Sequence, residues 1–455
     1  MPKNSSADTK PTKGKSSKPT VKGKPPEVEI FFDARDGGYW YRVGDRYLKL
    51  GARDIKMHLR TLGLRDDNYF DGLPEDVWPM WNAQMKSLID YAGPLAGHRV
   101  GVFKNSSGRC FLVTDEPALW DDLPKKVKEP RWFIRFIEAL LPDGQHEFFC
   151  HWLRIALLSL RTGDFRPGQV VCLAGPSQCG KSLLQTIVTE ILGGRSANPF
   201  RYMMGETQFN YDLAWSEHWQ IEDPASTTDI RTRRMFGSKL KECTVNRDFS
   251  IHQKGKDALL LPVFRRVTLS VNDEPENLAV IPPLDASIED KLFLFKCNFA
   301  DVGDDRKKTW ETVMREIPLI GAWLINEFTA VPPALRDARF GLKSWHHPAL
   351  VAELCHLSPE ARLMAIIDTV LFPDDRGDDA PWTGKSLDLE KQLRSSSFNF
   401  EVDKLLRFSS ACGTYLARLA KQQPERISKT VKGGYSSWVI KAPPQTNEER
   451  DDNGN

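Results

Sequence analysis

Residues 168–192 restrict the possible fold more than any other part of this chain, because an apolar run, a glycine-rich loop and an amphipathic segment follow one another there. Val170–Leu173 is apolar and β-branched, which is typical of a strand that is buried on both faces. Leu183–Leu192 has helical spacing and ends at Gly193 and Gly194. A buried strand that leads through a loop into a helix predicts an α/β fold with a parallel sheet.

The loop between these two elements has the pattern G-x-x-x-x-G-K-[ST]. Its residues are Gly175, Pro176, Ser177, Gln178, Cys179, Gly180, Lys181 and Ser182. Glycine lets such a loop curl until backbone N–H groups point at phosphate oxygens, and the N-terminus of the next helix adds a favourable dipole. In this pattern the lysine reaches the β- and γ-phosphates and the serine hydroxyl binds Mg²⁺. We therefore predict a site for ATP and Mg²⁺, in which Cys179 is a small filler residue rather than a redox switch.

Two adjacent carboxylates follow a second predicted strand. Trp219–Ile221 is short and apolar, and Glu222 and Asp223 come directly after it. A P-loop enzyme needs acidic side chains to hold Mg²⁺ and to orient the attacking water. We assign Glu222, together with Ser182, to the metal and Asp223 to the water, but the sequence allows the two roles to be exchanged. The alternative is a solvated turn, which Asp-Pro commonly opens.

A polar residue also ends a third predicted strand. Residues 263–272 are rich in β-branched side chains and finish at Asn272. From a neighbouring strand, this amide can reach the γ-phosphate or the attacking water. The alternative is that Asn272 caps the turn that follows.

A hairpin with a basic tip is predicted between the acidic pair and this third strand. His252, Lys254 and Lys256 lie in HQKGKD, which separates two β-like runs. A basic tip can hold a phosphate backbone without reading the bases. Taken alone, the pattern favours an ordinary solvated hairpin.

The ordered set GPSQCGKS, WQIEDP, HQKGKD and FRRVTLSVND resembles the helicase core of phage and plasmid primase-helicases, the superfamily-three branch of the AAA+ ATPases. The resemblance covers roughly residues 130–350. It implies an ATP-hydrolysing helicase that assembles into hexameric rings on DNA. It also implies that Lys181 and Ser182 match Walker A, Glu222 and Asp223 match Walker B, and Asn272 matches sensor 1. The hairpin residues Lys254 and Lys256 correspond to the DNA-gripping loop in position and character.

The chain departs from this family where an arginine finger is expected, shortly after sensor 1. Residues 273–299 contain no Arg, and Lys291 is the basic residue nearest to the expected place. Arg265 and Arg266 come earlier in the chain. Lys291 is therefore the candidate for this role, although a lysine lacks the planar fork of an arginine.

The regions around the core predict further units. Two hairpin signals and two helical patterns, near residues 55–62 and 76–91, indicate a small α/β module at residues 28–114. This module either is purely structural or contacts a partner such as nucleic acid. Residues 115–166 predict a linker and a helical collar, and residues 167–345 predict the ATPase core, with lid helices over residues 309–329. Residues 358–442 have a helix–helix–helix–hairpin order that resembles a winged helix. The predicted fold class is thus α/β: a P-loop AAA+ ATPase core with a small N-terminal α/β module and a C-terminal winged-helix-like domain.

Charge is distributed unevenly along the chain. The net charge of +2 argues, as an average, against nucleic acid, but residues 1–26 contain seven Lys and one Asp, which leaves −4 on the rest. Residues 1–27 therefore predict a disordered basic arm that either tethers the chain to a polyanion or keeps it soluble. In the predicted wing, Lys429 and Lys432 are candidate DNA contacts, and a protein-binding face is the alternative. Further positive charge there comes from Arg418, Lys421, Arg426 and Lys441. Residues 443–455 predict a disordered acidic tail.

Several classes of protein are disfavoured by composition. None of the eight cysteines forms a C-x-x-C pair, so neither a zinc ribbon nor a disulfide framework is indicated. No apolar run reaches the roughly 18 residues of a membrane span, and the lysine-rich start lacks the apolar segment of a secretory signal. We therefore expect a cytoplasmic protein of a bacterial host that does not contact a membrane.

These observations lead us to expect an ATP-dependent DNA helicase that acts in replication of a phage, a plasmid or an integrated mobile element. Its partners would be single-stranded or forked DNA, further copies of the chain in a hexamer, and a separate primase or polymerase. One alternative is a ring ATPase that does not unwind DNA: an initiator, a loader or an anti-phage defence protein. The other is a P-loop small-molecule kinase.

Overall fold

The computed structural model describes residues 27–105, 107–119, 123, 127–222, 230–282, 284, 286–303, 305–373, 380–432 and 435–443. The predicted arm up to residue 26, Asp223 and the tail from residue 444 onward lie outside these ranges, as do the side chains of residues 230–234, 276, 432 and 435. None of the described helices combines the length and the apolar character needed to cross a bilayer.

The N-terminal module begins with an antiparallel meander, which confirms the first hairpin signals. The elements of the module are β1 (Ile30–Asp33), β2 (Gly38–Val43), β3 (Arg46–Leu50), α1 (Ala52–Thr61), β4 (Tyr69–Phe70), β5 (Leu73–Pro74), α2 (Trp78–Lys86), β6 (Leu88–Ile89), β7 (Tyr91–Gly93), β8 (Gly101–Lys104) and β9 (Cys110–Val113). The helical pattern over residues 76–91 is only partly realised. The helix ends at Lys86 because the residues that follow it form two strands instead: β6 pairs with β1, and β7 pairs with β9. Sheet pairing thus overrides the local helical preference.

The second hairpin of the module, β8 and β9, is confirmed, and the strand β9 packs into the centre of the molecule. Phe111 and Val113 belong to the same buried cluster as Trp219 and Val267. The last strand of the module therefore belongs to the core's hydrophobic cluster, whereas Ile30, Ile55 and Leu59 belong to a separate cluster within the module.

The middle of the chain contains α3 (Arg131–Leu140), α4 (Gln145–Thr162), β10 (Val170–Ala174), α5 (Lys181–Ile191), β11 (Ser196–Ala197), α6 (Phe200–Met203), β12 (His218–Glu222), α7 (Ile230–Val245), β13 (Asp248–Ile251), β14 (Leu259–Pro262), β15 (Arg266–Val271), α8 (Pro275–Leu278), β16 (Leu292–Lys296) and α9 (Arg306–Asn326). A five-stranded parallel sheet with the order β11-β12-β15-β10-β16 forms its centre.

Both faces of this sheet are covered. In β10, Val170 and Cys172 pack into one hydrophobic cluster, whereas Val171 and Leu173 pack into the other. Successive side chains of a strand point to opposite faces, so a strand covered on both sides must be apolar throughout. This is the physical reason for the uninterrupted apolar run in the sequence.

The collar helices α3 and α4 pack against α9 and, with α5, cover one face of the sheet. The lid region predicted over residues 309–329 is largely this single helix. The Glu316 carboxylate of α9 accepts hydrogen bonds from the backbone N–H groups of Trp132, at 3.3 Å, and Phe133, at 3.0 Å. These donors have no partner within their own helix, so α9 caps the first turn of α3.

The C-terminal region has its own hydrophobic core, which includes Leu363, Leu416 and Trp438. Its elements, with the preceding helix, are α10 (Pro348–His356), α11 (Pro359–Leu371), β17 (Trp382–Gly384), α12 (Ser386–Arg394), α13 (Asn399–Leu405), α14 (Ala411–Gln422), β18 (Ile427–Lys432) and β19 (Tyr435–Ile440). The three predicted helices and the final hairpin are confirmed. The strand β17 and the helix α13 were not predicted, and β17 extends the hairpin into an antiparallel sheet with the order β17-β19-β18.

Candidate nucleotide-binding site

The glycine-rich loop, residues 175–182, lies at the carboxyl end of β10 and leads directly into α5. Gln178 and Gly180 have φ values of 62° and 116°, in the region that glycine adopts without a steric penalty. The loop therefore curls as the motif predicts. Parallel α/β sheets bind ligands outside the carboxyl ends of their strands, which is where this loop lies.

The side chain of Lys181 is directed into the loop and is only 6% exposed. Its Nζ donates hydrogen bonds to the carbonyl oxygens of Gly175, at 2.6 Å, and Pro176, at 2.7 Å. A third bond, 3.1 Å long, reaches Oδ1 of Asn272. An ammonium group has three donors, so all of them are used. The lysine of the loop thus contacts the polar residue that follows β15.

The sheet places the predicted acidic residue on the same edge as this contact. Glu222 ends β12, which pairs with β15, and β15 in turn pairs with β10. The side chain of Gln185, from α5, is buried and reinforces the arrangement. Its Nε2 donates to the carbonyl oxygen of Ile221, at 3.2 Å, and to Oγ1 of Thr268, at 2.8 Å. Sequence reasoning missed Gln185, and the available signal was a polar residue among the apolar positions of α5.

The side chains suited to Mg²⁺ are Ser182 and Glu222. Ser182 lies exposed in the first turn of α5, and the exposed Glu222 carboxylate accepts a hydrogen bond from Gln220. Both offer oxygen ligands, which Mg²⁺ prefers, and Mg²⁺ commonly completes its coordination with waters and substrate phosphates. Among the described residues no group of three or more His, Cys, Asp or Glu side chains is close enough to hold a metal. The residues present therefore fit a Mg²⁺ ion that arrives with a nucleotide. Asp223, the other predicted acidic residue, lies outside the described residues.

Two buried cysteines, Cys179 in the loop and Cys297 just after β16, contact each other. The thiol of Cys297, just after β16, hydrogen-bonds to Cys179 and lowers the pKa of Cys179 to about 6. Lys181 Nζ lies 3.9 Å from Cys179 Sγ and favours the same ionised form. Burial holds the pKa of Cys297 well above its usual value. Sequence reasoning did not single out Cys297, because its contact with the loop depends on the pairing of β10 with β16.

Replacing Gly175 with alanine is expected to displace the loop. A Cβ atom at this position would lie 2.5 Å from the backbone oxygen of Cys297, which cannot move away as a flexible side chain would. We expect the free energy of unfolding to fall by about 1–3 kcal/mol, as for other overpacked sites, and ATP affinity to fall about tenfold or more. Urea unfolding and titration with a fluorescent ATP analogue measure the two effects.

Gly51→Ala is the matched control. A Cβ atom there meets nothing closer than Oδ2 of Asp54, at 3.7 Å, and its backbone φ of −71° suits any residue. Unchanged ATP affinity in Gly175→Ala would contradict the assignment of this loop to the phosphates.

The candidate finger residue does not lie with the loop. Lys291 immediately precedes β16, at the amino edge of the sheet, and its Nζ pairs with Asp290 Oδ1 at 2.5 Å. Its role at a nucleotide therefore stays a prediction and requires a neighbouring subunit. Arg265 and Arg266 are buried in the interior and bond to backbone carbonyl groups, so neither is available to such a neighbour.

The predicted basic hairpin is formed by β13 and β14, with residues 252–258 as its tip. Lys254 is exposed and has no side-chain partner among the described residues. Lys256, in contrast, forms an ion pair with Asp36 of the N-terminal module, and Arg35 Nη2 donates to the carbonyl oxygen of Asp257 at 2.6 Å. Hydrogen bonds from Lys256 and then Lys49 hold the pKa of Asp36 below its usual value. The module thus holds the hairpin tip.

The third predicted tip residue is held at its backbone. The N–H of His252 donates to Oδ1 of Asn210 at 2.7 Å, and its carbonyl oxygen accepts from the Asn210 N–H at 3.2 Å. The first residue of the tip is therefore tied to Asn210 of the core, while Lys256 and Asp257 are tied to the module. Sequence reasoning missed Asp36 because its turn resembles any other hairpin turn.

The basic face of the C-terminal region is smaller than predicted. Arg418 pairs with Glu360 at 2.6 Å, and Arg426 pairs with Asp368 at 2.6 Å, so both arginines tie their elements to α11. Lys429 is exposed and lies 5.6 Å from the centre of the Trp438 ring. The side chain of Lys432 lies outside the described residues, and its predicted DNA contact is not tested.

A covered parallel sheet, a curled loop before a helix and a buried lysine beside the end of a neighbouring strand together have the geometry of a P-loop nucleotide-binding site. The fold as a whole resembles the C-terminal region of NrS-1. Two apo structures of that region have TM-scores of 0.55 and 0.53, at 12% identity, and each match covers 91% of this chain and 96% of that chain. At this identity the likeness concerns the fold alone.

Other solved structures are less similar. The SCCmec type IV Cch helicase has a TM-score of 0.30 at 12% identity, over 87% of this chain and 70% of that chain. The JCV helicase has a TM-score of 0.26 at 13% identity, over 53% of this chain and 63% of that chain. Scores this low do not support a common fold. No family model and no curated protein matches the chain.

Proposed function

We propose that this chain is an ATP-dependent DNA helicase that acts as a hexameric ring in replication of a phage, a plasmid or an integrated mobile element. The observation that carries the proposal is the 3.1 Å contact between Lys181 Nζ and Asn272 Oδ1. It joins the loop lysine to the residue that follows β15, so both side chains can reach one phosphate group. Such pairing of a phosphate-binding lysine with a polar residue on the next strand supports hydrolysis more than simple nucleotide storage.

In this proposal the N–H groups of residues 175–182 and the Lys181 ammonium bind the β- and γ-phosphates of ATP. Ser182 and Glu222 would hold the Mg²⁺ that enters with ATP, and this ion would supply positive charge for phosphoryl transfer. Asp223 orients the attacking water, and Asn272 contacts the γ-phosphate. For Lys181 this requires only that phosphate oxygens replace the carbonyl oxygens that it now contacts.

A ring would explain the separation of Lys291 from the loop. Within one chain these groups lie at opposite edges of the sheet, so Lys291 cannot act on its own subunit's nucleotide. In the proposed hexamer it would complete the site of a neighbour and offset transition-state charge.

The function is tested by measuring ATP hydrolysis with and without DNA, together with strand displacement on a forked duplex. For Lys254→Ala with Lys256→Ala, we expect basal hydrolysis to be retained and displacement to fall about tenfold or more, because the tip loses its phosphate-binding charges. Lys86→Ala with Lys391→Ala removes the same charge from exposed positions elsewhere and serves as the control.

Three outcomes would count against this proposal. DNA-stimulated hydrolysis without displacement in the unmodified protein would indicate a ring that does not unwind. Phosphorylation of a nucleoside, without any effect of DNA, would indicate a kinase. An equal loss of both activities in a well-folded hairpin variant would contradict a translocating tip.

The contact between the module and the hairpin gives a further prediction. Asp36→Asn removes the charge that holds Lys256, so we expect the affinity for single-stranded DNA to rise. The gain is limited to about fivefold because an exposed ion pair contributes at most about 1 kcal/mol. Fluorescence anisotropy with a labelled oligonucleotide measures it. Asp45→Asn, in the exposed turn between β2 and β3, is the control, and equal gains in both variants would mean that only net charge matters.

A further inference from the structure

A groove of about 770 Å³ lies between the N-terminal module and the ATPase core. Its walls include Phe103 and Arg109, from the β8–β9 hairpin, and Arg247, just before β13. The segments that precede β10 and β15 contribute Phe165 and Pro262. The groove therefore lies at the end of the central sheet where its parallel strands begin. It is therefore separate from the nucleotide site, which lies at the carboxyl edge.

The lining of this groove is strongly basic. Its cationic residues are Arg99, Lys104, Arg109, Arg161 and Arg247, and among the described residues Asp248 is its one acidic lining residue. The side chains of Lys104, Arg109 and Arg247 are exposed and make no hydrogen bond or ion pair with any described residue. A concave surface with several unpaired charges of one sign concentrates the field and attracts a polyanion.

Among the described residues no carboxylate pairs with Lys104, Arg109 or Arg247, although Glu116 offsets part of the charge of Arg99. Glu116 faces Arg99 at 3.7 Å, and Glu217 pairs with Arg195 at 2.5 Å. Glu217 also accepts a hydrogen bond from the backbone N–H of Gly97, at 2.8 Å, and so holds the groove wall to the core.

Two buried guanidinium groups add positive charge beneath the groove. A small cavity that shares Phe165 and Arg247 with the groove is lined by Arg265 and Arg266. Nε and Nη2 of Arg266 have no hydrogen-bond partner among the described residues, and neither arginine forms an ion pair there. Burial lowers the pKa of Arg266 to about 9, so it stays charged at neutral pH. An uncompensated buried charge is costly, and an anion nearby would relieve that cost.

Aromatic and apolar groups accompany these charges. His98 lies between the rings of Phe103, at 5.3 Å, and Phe165, at 5.1 Å. Leu260, which β14 contributes to the lining, is 52% exposed. Basic side chains interleaved with aromatic rings are what a single nucleic-acid strand requires, since its phosphates need cations and its unpaired bases need apolar faces. The groove volume falls within the range of small-ligand pockets, about 300–1,000 Å³.

We propose that this groove binds a single strand of nucleic acid, with Lys104, Arg109 and Arg247 contacting its phosphates and Phe103 contacting a base. The function proposed above requires DNA only at the hairpin tip, so this is an additional site. Binding here needs no ATP, and it gives the N-terminal module a direct role in holding the strand.

The test is fluorescence anisotropy with a labelled oligothymidylate of about 16 nucleotides, without nucleotide and over a range of salt concentrations. For Lys104→Ala with Arg109→Ala and Arg247→Ala, we expect about tenfold or greater loss of affinity. The slope of log affinity against log salt concentration should become less steep by about 2, because three phosphate contacts are lost and each contributes about 0.7 to the slope. Basal ATP hydrolysis without DNA should not change.

Two further variants separate the site from general charge effects. Arg46→Ala with Arg53→Ala and Lys86→Ala removes the same charge from exposed positions elsewhere on the module and should leave the affinity unchanged. Arg109→Lys with Arg247→Lys keeps the charge and should retain most of the affinity, which would also show that the site tolerates substitution. Equal losses in the two alanine variants would overturn the proposal.

Photo-crosslinking with a 5-iodouracil oligonucleotide locates the strand directly. We expect crosslinked peptides that contain residues 98–109. Crosslinks confined to the hairpin tip, or a duplex that binds as tightly as the single strand, would overturn the proposal. Because no ATP is present, these results stand even if the chain does not unwind DNA.

Discussion

Lys181→Ala should reduce ATP turnover by about 100-fold or more, the size of effect seen when one preorganised donor to a developing charge is removed. The side chain is buried in the loop, where its Nζ contacts two loop carbonyl groups, Asn272 and the thiol of Cys179. Once ATP is bound, an alanine leaves the β- and γ-phosphates without their cation. Steady-state hydrolysis and ATP affinity measure the loss.

The matched control is Lys391→Ala, at an exposed position of α12. Because Lys181 also supports the loop, thermal unfolding of both variants must be compared. Near-normal turnover in a folded Lys181→Ala protein would refute the assignment of the loop to ATP. If Lys181→Ala loses turnover because it unfolds, Lys181→Arg provides the test. This variant keeps the charge and should keep the fold, while hydrolysis should still be impaired.

Asp223→Asn should also lower the maximal rate of hydrolysis by about 100-fold or more, with ATP affinity little changed, because orientation of water matters only in the chemical step. Glu222→Gln should instead raise the Mg²⁺ concentration needed for half-maximal turnover, because an amide is a weaker metal ligand than a carboxylate. Glu401→Gln, on the exposed surface of α13, is the control. Rates measured over a Mg²⁺ titration separate the two roles.

If Glu222→Gln instead lowers the maximal rate and Asp223→Asn raises the Mg²⁺ requirement, the roles of the two residues are exchanged. The sequence alone leaves this possibility open. Full activity in both variants would show that the two carboxylates form only a surface turn. The position of Glu222 at the end of β12, one strand from Asn272, is the structural reason to expect an effect.

Two contacts of the N-terminal module with the core involve residues that we assign to DNA binding. Its first turn holds Lys256 through Asp36, and its second hairpin forms one wall of the basic groove. The first contact restrains the tip that the proposed function assigns to DNA, whereas the second forms part of the groove that we propose as a site for a strand. Asp36→Asn and the groove variants should therefore change DNA affinity in opposite directions.

The strand–loop–helix unit was predictable because its causes are local. Burial on both faces demands an apolar β10, the loop demands residues that accept positive φ, and α5 follows its own spacing. The helix predicted over residues 76–91 is shorter because the residues after Lys86 pair with distant strands. Local preference decides a segment only where no partner from elsewhere in the chain competes with it.

The sequence by itself determined the glycine-rich loop pattern of residues 175–182, the polar residues at the ends of two further strands, and the hairpin with a basic tip. Only the tertiary structure decided which charges are paired. Lys256 meets Asp36, Arg426 meets Asp368, and Arg265 and Arg266 are buried, whereas Lys104, Arg109 and Arg247 converge on one groove. Composition records how many charges a chain carries. Whether a charge is neutralised depends on contacts between residues far apart in sequence, and packing alone creates those contacts.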